Sequence, residues 1–372
     1  MNLKYNISLC FLYLIGVILM TNGHLLQADS TLKFAVVIFR HGDRAPFFDY
    51  KTNPHKDAFP EGPFQLTKIG KQHMYKKGQI LRKLYDGFLC KLYLDSEIYT
   101  KTTTVARTHM TAAMVLAGLY PPTSYLKWSE NETVWTPIPV YGGSPDRGDG
   151  KMDDCPAFDS VQKEAREGAQ SCTDDAIDKM LPYFSEKCNQ TIDYNNLYLL
   201  YDLLKCQTAA KLELPEWMTW GQFKKIEEFY ERKDVIQYTF GNKRLQNMYA
   251  GPLLKEIAKK IQEKSNANDN STENRKMLLY SGHDYSLGFS ASVLDNMMPI
   301  KSFGGSLHFH LHYSKGSVGD VVKVFYFENW NEDQGIQLPL KICGNPCTVA
   351  NFVKLIDSKL PKTWEEDCND VK

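Results

Sequence analysis

Seven consecutive residues, Arg40-His41-Gly42-Asp43-Arg44-Ala45-Pro46, set two guanidinium groups about a single imidazole. A guanidinium presents a planar fork of N–H donors that matches phosphate oxygens. A neutral imidazole nitrogen can attack phosphorus and carry the phosphoryl group as phosphohistidine. Gly42 allows the backbone to come close to a ligand. Phosphoryl transfer to His41, with Arg40 and Arg44 holding the phosphate, is the chemistry these residues suggest. Far along the chain, Ser281-Gly282-His283-Asp284 supplies a second imidazole and a carboxyl. Across a phosphate from His41, Asp284 would be the proton donor of an in-line displacement. Arg107 is the third element, in the first turn of a helical pattern that begins near Val105. Helix N-termini attract anions through unpaired amides, and an arginine there adds formal charge. Taken singly, each has a plainer reading: a basic loop, a capping Asp beside a structural His, a solvated surface Arg.

The elements that must position these residues can be read around them. Phe34–Phe39 and Met277–Tyr280 are continuous apolar runs, as in strands covered on both faces. The chemistry-bearing segments follow each run directly, and in open α/β sheets ligands bind beyond the carboxyl ends of strands. Helical patterns cover Ile69–Leu84 and Val105–Leu119, the second with Thr102, Thr103 and Thr104 as candidate caps and Gly118 and Pro121-Pro122 as its stop. From Phe158 to Ile261 the pattern is mainly helical, entered through the Gly-rich stretch 142–154 and left through the loop-like 266–272. Leu307–Tyr313 and Val321–Phe327 form a late hairpin. The fold expected is α/β, a mainly parallel sheet flanked by helices, with a smaller helical domain inserted. The α/β domain is made of residues 31–141 and 273–372, and the insertion of 142–272.

Composition narrows the class of protein. The 372 residues are 43% hydrophobic and 24% charged, which is globular rather than disordered. Lys plus Arg and Asp plus Glu each number 44. With no net charge, nothing global draws the chain to nucleic acid or to an anionic membrane, so positive charge for an anion must be concentrated locally. Residues 1–23 read as a signal peptide: Lys4, an apolar run from Ile7 to Met20, then small residues at Thr21 and Gly23. That run is short for a membrane span, and none of spanning length follows. The alternative is an uncleaved anchor. Besides Cys10, eight cysteines remain, an even number suited to disulfides in a secretory chain. Cys343 and Cys347 enclose Gly-Asn-Pro and could close a local bridge. Sequons at Asn131, Asn189 and Asn270 mark surface segments if glycosylated, and one at Asn6 would leave with the signal.

Arg-His-Gly-x-Arg-x-Pro near the N-terminus, with His-Asp after a late strand, resembles the histidine acid phosphatases. Gln65-Leu66-Thr67 with Gly70, Arg107-Thr108, Leu119-Tyr120-Pro121-Pro122, Trp135 with Pro137-Ile138-Pro139, and Trp364 extend the likeness over nearly the whole mature chain. The pattern is similar to the prostatic, lysosomal and insect venom enzymes, and Tyr249-Ala250-Gly251-Pro252-Leu253-Leu254 looks particularly like the venom ones. The resemblance implies the histidine phosphatase fold and an acid phosphatase acting on a small phosphomonoester or a phosphoprotein. It implies His41 as nucleophile, Asp284 as proton donor, and Arg40, Arg44, Arg107 and His283 as phosphate ligands, with no metal or organic cofactor. It also implies a Cys155–Cys368 disulfide, a secreted protein, with lysosome or venom as particular destinations, and it admits a homodimer. Two departures stand out. Thr102–Ala106 replaces a segment where relatives often carry Ser and Asp, and the cysteine that usually pairs with the equivalent of Cys206 is missing near Ser306.

Rival readings remain at this stage. They are a phytase or lysophosphatidic acid phosphatase of the same superfamily, and a secreted binding protein without turnover. His308, His310 and His312 alternate and so share a strand face. A metal site is one reading of them, and surface or interdomain packing the favoured one. Arg147-Gly148-Asp149 matches an adhesion tripeptide, a kind of triplet that arises readily by chance.

Overall fold

The computed structural model describes residues 24–25, 30–123, 125, 127–130, 135–150, 152–170, 174–232, 241–267, 275–298, 302–314 and 319–369. The expected signal peptide, the sequons at Asn6, Asn131 and Asn270, and Cys172 lie outside the described residues.

In chain order the elements are β1 (His24–Leu25), β2 (Leu32–Arg40), α1 (Lys68–Leu84), β3 (Ile98–Thr102), α2 (Ala106–Leu119), α3 (Phe158–Gln170), α4 (Asp175–Cys188), α5 (Leu197–Ala209), α6 (Trp220–Arg232) and α7 (Lys243–Asn266). They continue with β4 (Met277–Gly282), α8 (Asp284–Val293), β5 (Ser306–His312), β6 (Val321–Phe327), β7 (Gln334–Gln337), α9 (Val349–Lys359) and α10 (Trp364–Asn369). The strands form one sheet in the order β1-β7-β6-β5-β2-β4-β3.

The two apolar runs are neighbours. β2 and β4 pair in parallel, with Arg40 opposite Gly282, so the segments after both strands emerge at one sheet edge. Their side chains alternate between two buried layers. Phe34, Val36, Ile38, Leu278 and Tyr280 pack with α3, α7, α8 and α9. Ala35, Val37, Phe39, Met277 and Leu279 pack with α1 and α2. Burial on both faces is why these strands read as unbroken hydrophobic sequence.

The α/β layering is as expected, but the sheet is mixed rather than mainly parallel. β2–β4 and β3–β4 are parallel, whereas β5 runs antiparallel to β2 and the late hairpin β5–β6 continues antiparallel into β7. Hydrophobic periodicity reports which faces are buried and says nothing of direction. The short link from His312 to Val321 can only return the chain alongside itself.

Residues 142–272 divide in their packing. Helices α4, α5 and α6 have a core of their own, from Ile177 through Phe184, Leu200 and Leu204 to Phe229, joined by Tyr50 from the N-terminal segment. Helices α3 and α7 instead contribute Phe158, Val161, Leu253 and Ile257 to the layer beneath the sheet. Cys155 is bridged to Cys368 and Cys343 to Cys347, while Cys90, Cys188 and Cys206 are free thiols.

The three alternating histidines do share a face, but they are buried in the core rather than packed at a surface or between domains. The Tyr85 hydroxyl lies 2.8 Å from both His308 Nδ1 and His310 Nε2. Ser306 meets His308 Nε2 and Thr31 meets His312 Nδ1. A polar chain thus satisfies buried groups whose desolvation would otherwise be costly. Arg147-Gly148-Asp149 is likewise built into the fold. Arg147 stacks on Trp364 and pairs with Asp154, and Gly148 is buried against Ser286.

Candidate active site

The loop leaving β2 turns sharply between α1 and α2. His41 N–H donates to Gly282 O, tying it to β4. Gly42 N–H donates to Thr111 Oγ1 on α2. A Cβ on Gly42 would stand 2.6 Å from Met74 Cγ, and one on Gly70 would stand 2.1 Å from the Asp43 carbonyl oxygen. Both glycines therefore permit α1 to lie against the loop. Thr67 caps α1 by accepting from Gly70 N–H, and it donates from its own N–H and hydroxyl to Asp43 O. By contrast, no side chain caps α2. Its N-cap is Val105, and Thr102–Thr104 do not fill that role.

His41 is 2% exposed. Its Nδ1 lies 2.9 Å from Gly42 O. A carbonyl only accepts, so Nδ1 carries the proton and Nε2 presents a lone pair. Burial, then the charges of Arg107, Arg40 and Arg44, hold its pKa well below the ordinary value. The imidazole thus remains neutral in mild acid.

The expected cations gather round it. Arg40 donates to Asp284 Oδ2 at 2.7 Å and lies over Phe303, whose ring is 5.8 Å from that of His41. Arg107 Nη2 lies 3.2 Å from His283 Nδ1. Its Nε is buried with no hydrogen-bond partner among the described residues, and burial with the nearby charge of Arg44 lowers its pKa to about 10. A partly buried cation with an unmatched donor marks a place for an anion. Arg44 is held bidentate by Asp202 of α5, at 2.7 and 3.0 Å, with Ala45 O and Cys206 Sγ also within reach of Nη1. Cys206 sits as a buried thiol 3.4 Å from this guanidinium.

His283 and Asp284 open α8. Because Arg107 can only donate, His283 Nδ1 accepts, and Nε2–H donates to Thr103 Oγ1 at 3.0 Å. Thr103 in turn donates to Thr108 Oγ1 and Thr108 to Val105 O. Burial and then Arg107 lower the His283 pKa to about 3, so the ring is neutral with both nitrogens engaged. His283 therefore braces Arg107 in this state instead of offering a spare donor. The His283 N–H donates to Ser286 Oγ, and the Ser286 hydroxyl to Asp146 Oδ2 at 2.7 Å. Asp146 is buried, accepts also from Gly148 N–H, and stands where a Cβ on Gly282 would be only 1.9 Å from Oδ2. Burial raises its pKa to about 6. For Asp284, burial would raise the pKa, but Arg40, His283 and Arg44 outweigh it and bring it down to about 2.

The six residues expected from sequence thus meet at one end of β2 and β4. Asp202, Asp146, Thr103, Ser286 and Phe303 join them unannounced. Each reaches the site through tertiary packing, and none lies in a motif of its own.

A family model described as "Histidine phosphatase superfamily (branch 2)" matches residues 31–297. The chain belongs to branch 2 of the histidine phosphatase superfamily. It is 31% identical to a lysosomal acid phosphatase of Xenopus laevis, over 95% of this chain and 82% of that protein. It is 28% identical to a prostatic acid phosphatase of Rattus norvegicus, over 96% of each. These relatives bear out the reading of the chain as a phosphoric monoester hydrolase. Among solved structures, the phytase from Citrobacter braakii matches with a TM-score of 0.65 at 16% identity, covering 91% of this chain and 99% of that one. The Hafnia alvei phytase with tartrate matches with a TM-score of 0.65 at 17% identity, covering 92% and 99%. At such identities these two show the fold alone.

Proposed function

We propose that this member of the superfamily is a secreted acid phosphatase that hydrolyses phosphate monoesters through a phosphohistidine on His41. The observation that carries the reading is a neutral imidazole, its Nε2 lone pair available, caged by three arginines. Outside such a cage a histidine is largely protonated in acid, and a protonated ring has no lone pair to attack with.

In the proposed reaction, Arg40, Arg44 and Arg107 hold the phosphoryl oxygens, with His283 acting through Arg107. His41 Nε2 attacks phosphorus as the bond to the ester oxygen breaks, and Asp284 protonates the leaving oxygen. Water then attacks the phosphohistidine. Asp284 takes its proton, the P–N electron pair returns to Nε2, and inorganic phosphate departs. Charge on the transferring group is stabilised by guanidinium groups fixed in place beforehand. Asp284 is ionised in the free protein, so a proton must reach it with the substrate, and a phosphate monoester monoanion carries one. Arg40, drawn to the phosphate, then no longer holds the carboxylate.

Secretion is part of the proposal, and rests on the apolar segment 1–23 and the oxidised cysteine pairs. So is the division into an α/β catalytic unit and a helical insertion, which reaches the site through Asp202. Among the described residues no helix is long and apolar enough to cross a membrane.

His41→Ala tests the mechanism. Turnover of p-nitrophenyl phosphate should vanish while the far-UV circular dichroism spectrum is kept. Alkaline quenching of the wild type with labelled substrate should trap a phosphoprotein that acid removes. Undiminished activity in the variant would refute the mechanism.

A further inference from the structure

Two phenylalanines hang over the arginine cage with no part in the chemistry above. Phe47 and Phe64 stack with ring centroids 4.7 Å apart and an interplanar angle of 5°, yet they are 39% and 43% exposed. Large apolar side chains in contact with each other and open to water are unusual away from binding surfaces. The Phe64 ring centroid lies 6.0 Å from Cζ of both Arg44 and Arg107. The pair thus borders the place where the phosphate is proposed to sit.

The backbone that carries Phe64 is strained. Gln65 N–H donates to Gly62 O, closing a turn with Pro63 then Phe64 at its centre. Phe64 has φ 63°, the left-handed region. Proline followed by a residue at positive φ is the type II pattern, in which glycine is favoured at the second central position. A bulky residue there is an outlier, and such strain collects at functional sites. Local pairing holds the turn over the cage. Ala45 N–H donates to Gln65 O, Thr67 N–H to Asp43 O, and Arg44 bridges Leu66. Phe47 follows the first of these segments and Phe64 precedes the second, so the pairing brings the rings together.

We infer that Phe64 and Phe47 form an aromatic shelf that binds the leaving group, selecting phosphate monoesters whose alcohol portion is a flat apolar ring. The inference rests on the proposed phosphatase reading and names its substrate class. A leaving group bearing several further phosphates would set its charges against two phenyl faces. A flat ring would instead extend the existing stack and cover apolar surface now open to water.

Non-hydrolysable ligands test this apart from turnover. Phenylphosphonate and methylphosphonate are titrated calorimetrically into the wild type, Phe64→Gly and Phe47→Ala. The wild type should bind phenylphosphonate more tightly. Both variants should lose about 2- to 12-fold of that preference, the span of one aromatic stacking contact, with methylphosphonate affinity unchanged. Phe64→Gly should unfold at the same temperature as the wild type or higher, because glycine accepts the left-handed backbone. If the two phosphonates lose affinity equally, or the preference persists in both variants, the shelf is overturned and the phosphatase reading stands. If neither phosphonate binds the wild type, the phosphate pocket itself has failed, and the shelf with it.

Discussion

Asp284→Asn is the substitution that most directly tests the acid–base chemistry. A carboxyl brought down to about 2 is protonated in roughly one molecule in a thousand at pH 5, so protonating it there costs about 4 kcal/mol. A positioned general acid typically contributes about 10²–10⁴ in rate, and that loading cost would cancel most of it. The proton must therefore enter with the substrate. The second ionisation of a phosphate monoester lies near pH 6, so below that value the monoanion brings both the proton and the charge that draws Arg40 away from Asp284. Two results are expected from phosphate release measured between pH 4 and 8. For the wild type on glycerol 2-phosphate, kcat/KM should fall about tenfold per pH unit above roughly pH 6 as the monoanion disappears. Asp284→Asn should lose about 10²–10⁴ in kcat on glycerol 2-phosphate and distinctly less on p-nitrophenyl phosphate, whose leaving group departs without protonation. Equal losses on the two substrates would mean that Asp284 serves to position Arg40 or His283, and the general-acid role would have to be given up. A wild-type rate on the alkyl ester that stays level through pH 7.5 would likewise refute entry of the proton with the monoanion.

The supports behind the site give two further tests. Asp202→Asn leaves the buried Arg44 cation without its carboxylate, and should cost about 3–5 kcal/mol in urea unfolding; a change under 1 kcal/mol would show that Arg44 finds another partner. Asp146, held at about 6 when folded against 3.8 for the ordinary value, binds more protons in the folded than in the unfolded state between those limits. Its contribution to stability should therefore decline by about 2 kcal/mol as pH rises from 4 to 6.5. The difference in unfolding free energy between the wild type and Asp146→Asn should follow that decline, and a pH-independent difference would remove the buried carboxylate from the account.

Legibility from sequence differed by feature, for physical reasons. The runs ending at Arg40 and Gly282 were readable because burial on both faces leaves no polar residue to interrupt them, and their parallel pairing brings together five of the six residues expected at the site, with Arg107 added by the helix that follows β3. Direction was readable only where a short link joins two strands: the late hairpin was expected, whereas its antiparallel pairing with β2 and its continuation into β7 were not, so the sheet was expected to be mainly parallel. The alternating histidines gave their shared face through period two. The burial of His308 and His310 depends on Tyr85, more than two hundred residues away in sequence, which supplies the hydroxyl that meets both, and His312 depends on Thr31. Thr102–Thr104 look like caps, yet Thr103 serves His283 instead, a choice made by tertiary neighbours. Asp202 and Asp146 were invisible because a lone carboxylate in a helix or loop carries no local signature. Phe64 had a faint one: Gly-Pro-Phe is a turn sequence with a bulky residue where glycine would be at ease.

The order of the sheet also bears on how this chain is made. β2 lies between β4 and β5, and both of its neighbours are encoded after the helices of the middle segment. A ribosome adding about 5–20 residues per second needs roughly a quarter of a minute to a minute to travel from Arg40 to His312. For most of that interval, until Met277–Gly282 have been made, this long apolar strand has neither partner, and its two bare edges invite pairing with other chains. The helices α4–α6, with a core of their own, can condense during the wait. Chaperone demand should therefore fall on the N-terminal segment of the nascent chain, and a fragment truncated before β4 should aggregate rather than fold.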